Sequence, residues 1–269
     1  MVKLFLTALL SAQIAQGQAC TPEQARQIVR SAVNRELSAV SPQRRWMYDA
    51  EYKKDGILTK ERRIESSDGI LVRTLMRNGT PLSLSESASE KQGLQDLVNN
   101  PSALQKKRKE MQADFSRMNS ILNTLPDAAQ FTCGNKESNS QDFPFEPNTQ
   151  YQPSSVEGKL ANAMSGVVRV DVQQNRLENI NGTLKNNLLF GWGVLGRINQ
   201  GSFVEIERSK INPTAWETTH FSLNIQGYVL IVKTIDQKAD EARSNYVSVP
   251  GPLSANRALA VLFDEHPNQ

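Results

Sequence analysis

Histidine is nearly missing from this chain: His220 and His266 are the only two in 269 residues. Neither has a second His, Cys or Asp at a metal-ligand spacing, so the sequence offers no zinc site. A Gly-x-Ser-x-Gly nucleophile turn and a phosphate-binding loop are also lacking. Glu205 and Glu207 do not replace them, because they alternate with Val204 and Ile206 on a strand and face water as like charges. Hydrolytic carboxylates flank a bond from opposite sides instead. An enzyme is therefore not expected, nor is a cofactor, and a secreted hydrolase is the weakest of the functional readings. Charge of one sign is short as well. The 31 basic residues meet 28 acidic ones, a net +3 at pH 7, which gives no footprint for nucleic acid. The run Lys106-Lys107-Arg108-Lys109 reads as a solvated helix face.

No apolar run reaches the roughly 20 residues of a permanent membrane span. What the chain has instead is a short basic start, Met1-Val2-Lys3, an apolar stretch from Leu4 to Ala12, and small residues at Ala15-Gln16-Gly17 and Gly17-Gln18-Ala19. This is the pattern of an export signal over residues 1–19, cleaved between Gly17 and Cys20. The mature chain is then expected in the periplasm or at the outer membrane. Only two cysteines occur, Cys20 and Cys133. An oxidising compartment favours a bridge between them. The competing reading, a lipidated Cys20, lacks the leucine and the small residue of a lipoprotein cleavage site.

Thr21-Pro22-Glu23 caps a helix whose apolar residues Ala25, Ile28, Val29, Ala32, Val33 and Leu37 share one face, with Pro42 ending it. A strand meander follows, in which Trp46, Tyr48, Ala50 and Tyr52 alternate with polar neighbours. Asp55-Gly56, Asp68-Gly69 and Asn78-Gly79 mark its hairpins. Between residues 85 and 125 the period becomes helical, through Leu104, Met111, Phe115, Met118, Leu122 and Leu125, and Pro101 splits the region in two. Residues 135–155 read as an extended loop. A second meander begins at Val168, Val170 and Val172, with turns expected at Asn181-Gly182, Asn199-Gln200-Gly201 and Gln226-Gly227. The order fades from Lys238, and 247–269 read as a C-terminal tail. Gly191-Trp192-Gly193-Val194-Leu195-Gly196 has the letters of a dinucleotide-binding turn. The four residues after it are too few for the helix such a turn must open, so the glycines are read as bending a sheet.

The expected fold is mainly β with α: a large curved antiparallel sheet, an unclosed barrel, with an N-terminal helix and a helical insertion covering one face. A single domain over residues 20–246 is expected, and a monomer. This element order, from Ala25 to Tyr246, resembles the Lol-type periplasmic lipoprotein carriers. Asn78-Gly79-Thr80-Pro81-Leu82-Ser83, Phe143-Pro144-Phe145-Glu146-Pro147-Asn148, Gly201-Ser202-Phe203 and Asn212-Pro213-Thr214-Ala215-Trp216 are similar to stretches of poorly characterised exported bacterial proteins. The carrier resemblance implies an apolar trough under a helical lid, holding a lipid or the acyl chains of a lipoprotein. Trp46, Tyr48, Val72, Met76, Phe190, Trp192 and Trp216 are the candidate trough residues. Met111 and Met118 could line an adaptable pocket. The alternative is a structural or protein-binding module of the cell envelope, in which the same residues form a filled core.

Overall fold

The computed structural model describes residues 20–39, 44–191, 194–229 and 233–264. The expected export signal, residues 1–19, and Trp192 lie outside them. Helix α1 (Pro22–Ala39) opens the described chain, capped as expected: Gln24 N–H donates to Thr21 Oγ1 and Thr21 N–H to Gln24 Oε1. The first meander is β1 (Arg44–Lys54), β2 (Ile57–Ser66), β3 (Gly69–Arg77) and the short β4 (Thr80–Pro81). Asp55-Gly56 and Asn78-Gly79 form its tight turns with positive φ at all four residues, as a two-residue hairpin of this hand requires. The insertion is α2 (Leu84–Val98) and α3 (Pro101–Ala128), split at Pro101. Then come β5 (Ala129–Phe131), β6 (Lys136–Glu137), β7 (Ser140–Pro147), α4 (Val156–Ala163), β8 (Met164–Asp171) and β9 (Arg176–Leu184). The hairpin β10 (Leu188–Phe190) and β11 (Gly196–Ile198) leads to β12 (Phe203–Asn212), β13 (Ala215–Val229), β14 (Lys233–Pro250) and α5 (Ala255–Phe263).

All described strands belong to one antiparallel, unclosed sheet of 14 strands, with main order β4-β3-β2-β1-β14-β13-β12-β9-β8-β7-β5. The insertion leaves the chain at the β4 edge and rejoins it at the opposite edge, β5. A 28-residue helix is about 42 Å long, so α3 alone carries most of that crossing. It packs on β3 near its start and on β5 at its end. The outer face of the first meander is closed by α2 and α5, through a buried cluster that includes Met47, Ile64, Leu71, Val249, Ala258 and Leu262. On the inner face α1 seals the other end, with Ala25, Val29, Ala32 and Val33 against Phe131, Phe143, Val168 and Val170. The Cys20–Cys133 disulfide is present, with Cα atoms 6.0 Å apart, and ties the head of α1 to the segment after β5.

Four local expectations are corrected. Asn181-Gly182 is no turn but lies within β9, where Gly182 faces Gly166. A Cβ on Gly166 would sit 1.8 Å from Asn181 O, so the glycine there serves strand contact, and the reversal before β9 uses Asn175 at φ 55. Gln226-Gly227 lies within β13; a Cβ on Gly227 would meet Arg197 O at 2.0 Å. Residues 135–155 contain β7, whose Phe143 and Phe145 are buried; a composition rich in Asn, Ser and Pro hid the strand. Order does not fade at Lys238, because β14 is the longest strand and α5 follows it in the supposed tail. β14 is polar along most of its length; Lys233 to Ala242 pair with β13 and Glu241 to Pro250 with β1. Its backbone hydrogen bonds, not an apolar alternation, hold it in place.

Candidate binding site

Two cavities lie side by side between α3 and the inner face. The first is apolar, about 230 Å³ in volume. Its floor comes from alternate residues of three neighbouring strands: Ile180 and Leu184 on β9, Val204 and Ile206 on β12, and Phe221, Leu223 and Ile225 on β13. The register sets Val204 against Gly182 and Leu223, and Ile206 against Ile180 and Phe221, so these side chains share one face. Met118, Ile121 and Leu125 of α3 and Leu160 of α4 form the roof. Ser202 carries the single hydroxyl among the lining side chains. Ile180, Val204, Ile206, Phe221, Leu223 and Ile225 are all half-buried. An apolar wall left half-open costs about 25 cal/mol for each Å² in contact with water, a cost that an apolar occupant removes.

The roof is fixed at its ends. Near its start, Lys107 Nζ donates to Ile70 O at 3.1 Å and Arg108 pairs with Asp68 on the β2–β3 turn. Half of the basic run is thus an anchor, not a solvated face. At its end, Asp127 pairs with Arg26 and Arg30 of α1, and Asn162 of α4 donates to Ala128 O at 2.6 Å. Between the anchors every residue from 112 to 118 is exposed, including Phe115 at 47% and Met118 at 38%. The middle of α3 therefore spans the cavities with little packed against it.

The second cavity, about 440 Å³, lies one helical turn back along α3, under Met111, Gln112 and Phe115. Its walls bring together Glu36, Arg176 and Arg208 with Arg45, Trp46, Glu65, Trp216 and Glu217. Glu36 is 5% exposed and is satisfied by Arg176 Nε at 2.7 Å, Arg208 Nη1 at 2.6 Å and the Leu177 N–H at 3.2 Å. Glu65 accepts the Trp46 N–H at 3.2 Å. Burial nevertheless pushes its carboxyl up to about 7, helped by the like charge of Glu217. Burial raises Glu217 too, against the pull of Arg208 and a hydrogen bond from the Trp46 side chain. Beyond this cavity the inner face of β1, β2 and β14 remains polar. Arg63 bridges Glu61 and Glu241, Arg243 donates to Glu241 at 2.6 Å, and Tyr52 donates to Glu61 at 2.7 Å.

The expected trough residues divide unevenly. Trp46 and Trp216 line the charged cavity. Tyr48 is buried beside them, stacked on Tyr246 at 5.0 Å. Val72 and Met76 on β3 and Phe190 on β10 are half-buried and line neither cavity. Met111 and Met118 do face cavities, one each. The apolar floor was not among the candidates, although the alternation of Phe221, Leu223 and Ile225 with Ser222, Asn224 and Gln226 carries it. At the glycine-rich turn, Gly196 continues directly into β11 paired with β10, which is not the strand-to-helix turn that a dinucleotide needs. No group of His, Cys, Asp and Glu suited to a metal ion occurs among the described residues.

The chain matches no protein-family model, no curated protein and no solved structure. Its own geometry is what bears on function.

Proposed function

We propose that this protein is an exported, non-catalytic carrier that holds an apolar chain, of a lipid or an acylated protein, between α3 and the inner face of β9, β12 and β13. The observation that carries the reading is the apolar cavity under a helix anchored only at its ends. Burial of an acyl chain yields about 0.8 kcal/mol per methylene, so such a cavity retains a lipid without a charged anchor. The Cys20–Cys133 bridge supports an oxidising compartment, and the element order supports a likeness to lipoprotein carriers. The test is titration of the mature chain with long-chain fatty acids, followed by native mass spectrometry. Saturable binding is expected for the parent. Leu223→Trp, which fills the cavity from its floor, should weaken binding by about ten-fold or more, the worth of about two methylenes, with an unchanged circular dichroism spectrum.

One observation favours a second reading, a module that docks on an envelope protein. The β10–β11 hairpin exposes Leu189 at 50%, Val194 at 60% and Leu195 at 57%, an apolar patch of the kind that marks interaction sites. Absence of fatty-acid binding in the titration, with the fold intact, would leave that reading in place of the carrier.

A further inference from the structure

We propose that the charged cavity under Met111 and Phe115 seats the oxyanion head group of an amphiphile whose acyl chain occupies the adjoining apolar cavity, with Arg45 and Arg208 as the donors. This rests on the carrier reading above and adds to it the chemical class of the ligand. Three observations lead to it. The two cavities lie under consecutive turns of one helix, Met111 and Phe115 over the charged one and Met118 over the apolar one, so a single extended molecule can reach both. They also share β13, which contributes Ala215 to Glu217 at one end and Phe221 to Ile225 further along. Finally, Arg45 Nε and Arg208 Nε are buried with no hydrogen-bond partner among the described residues. A buried guanidinium N–H without an acceptor is costly, and both residues line the same cavity.

The missing partner is therefore an acceptor, and beside arginine the strong acceptors are carboxylate and phosphate oxygens. Among the acids in the wall, Glu36 is fully engaged by Arg176 and Arg208. Glu65 and Glu217 are the two whose burial favours the neutral form, which lowers their opposition to an incoming anion. A cationic head group would find the reverse: two unmatched donors and carboxyls that resist ionisation.

The experiment compares three probes of one chain length at pH 8: dodecanoate, dodecyl phosphate and the neutral monododecanoylglycerol. Both anions should bind about ten-fold tighter than the neutral probe, the worth of one charge-assisted hydrogen bond. The tighter of the two assigns the head group as carboxylate or phosphate. Arg45→Gln should remove that advantage and leave the neutral probe unchanged. Glu65→Gln, which deletes an opposing charge and needs no refolding of the wall, should tighten both anions and not the neutral probe. Equal binding of all three probes, or an Arg45→Gln loss shared by the neutral one, overturns the head-group site while leaving the carrier reading intact. Failure of every probe to bind overturns both.

Discussion

The two halves of the inner face belong to one sheet and are roofed by the same helix, yet they solve burial in opposite ways. In the charged half, Arg63, Glu61, Glu241 and Arg243 satisfy one another, and Glu36 takes two arginines. Those contacts define side-chain positions without any ligand. In the apolar half, Val204, Ile206, Phe221, Leu223 and Ile225 lie half-buried against a cavity, and nothing directional holds them. Polar groups need specific partners, whereas apolar groups need only exclusion of water. The charged half therefore leaves two arginine nitrogens without partners among the described residues, and the apolar half leaves a cavity with half-buried walls.

The comparison is broken most easily at the packed floor beneath α1. Phe143 is fully buried in the cluster that joins α1 to β8 and β9. Phe143→Ala is expected to cost about 3–5 kcal/mol in urea denaturation. A loss under about 1 kcal/mol would mean that the apolar half is loose throughout, and not only around its cavity.

A smaller effect sharpens the charged side. The folded state holds the Glu65 proton with a value of about 7, above the ordinary 4.5. Stability from this group is complete below pH 4.5, declines as pH rises through 7 and is level above that. Glutamine keeps the acceptor for the Trp46 N–H and stays neutral. Glu65→Gln should therefore match the parent near pH 4 and exceed it by about 1–3 kcal/mol at pH 8. Equal stability at both pH values would show that Glu65 is solvated and that the cavity is open to bulk water on that side.

The two halves also differed in how far they could be read from sequence. Strand alternation is plain at Trp46 to Tyr52 and at Val204 to Glu207, and helix capping at Thr21 and the break at Pro101 are local chemistry. The general fold followed from these. β14 stayed hidden because backbone pairing, first with β13 and then with β1, holds it without an apolar pattern. Gly182 and Gly227 were misread because close strand approach and tight turns both call for glycine, and only tertiary contact distinguishes them. The apolar cavity was not legible for a related reason. Large aromatics stood out in the sequence, but Trp46, Tyr48 and Trp216 serve the charged half, where their N–H and O–H groups have partners. The apolar floor is mostly aliphatic, and which face of β12 and β13 meets α3 depends on a pairing between distant strands.

The smallest expected effect is the most discriminating. Leu223 lies on the cavity floor and is half-buried, so Leu223→Ala removes atoms that already face empty space. Its cost without ligand should stay below about 1 kcal/mol, against the 2–5 kcal/mol usual for a packed leucine. Saturating dodecanoate should widen the gap, because ligand stabilises the parent by RT ln(1 + [L]/Kd), and the variant binds it with fewer contacts. Thermal unfolding of both proteins, with and without dodecanoate, measures the two differences together. A cost of several kcal/mol in the free protein, unchanged by the fatty acid, would identify Leu223 as ordinary core. The apolar half would then be as self-sufficient as the charged one, and the cavity would have no claim on a ligand.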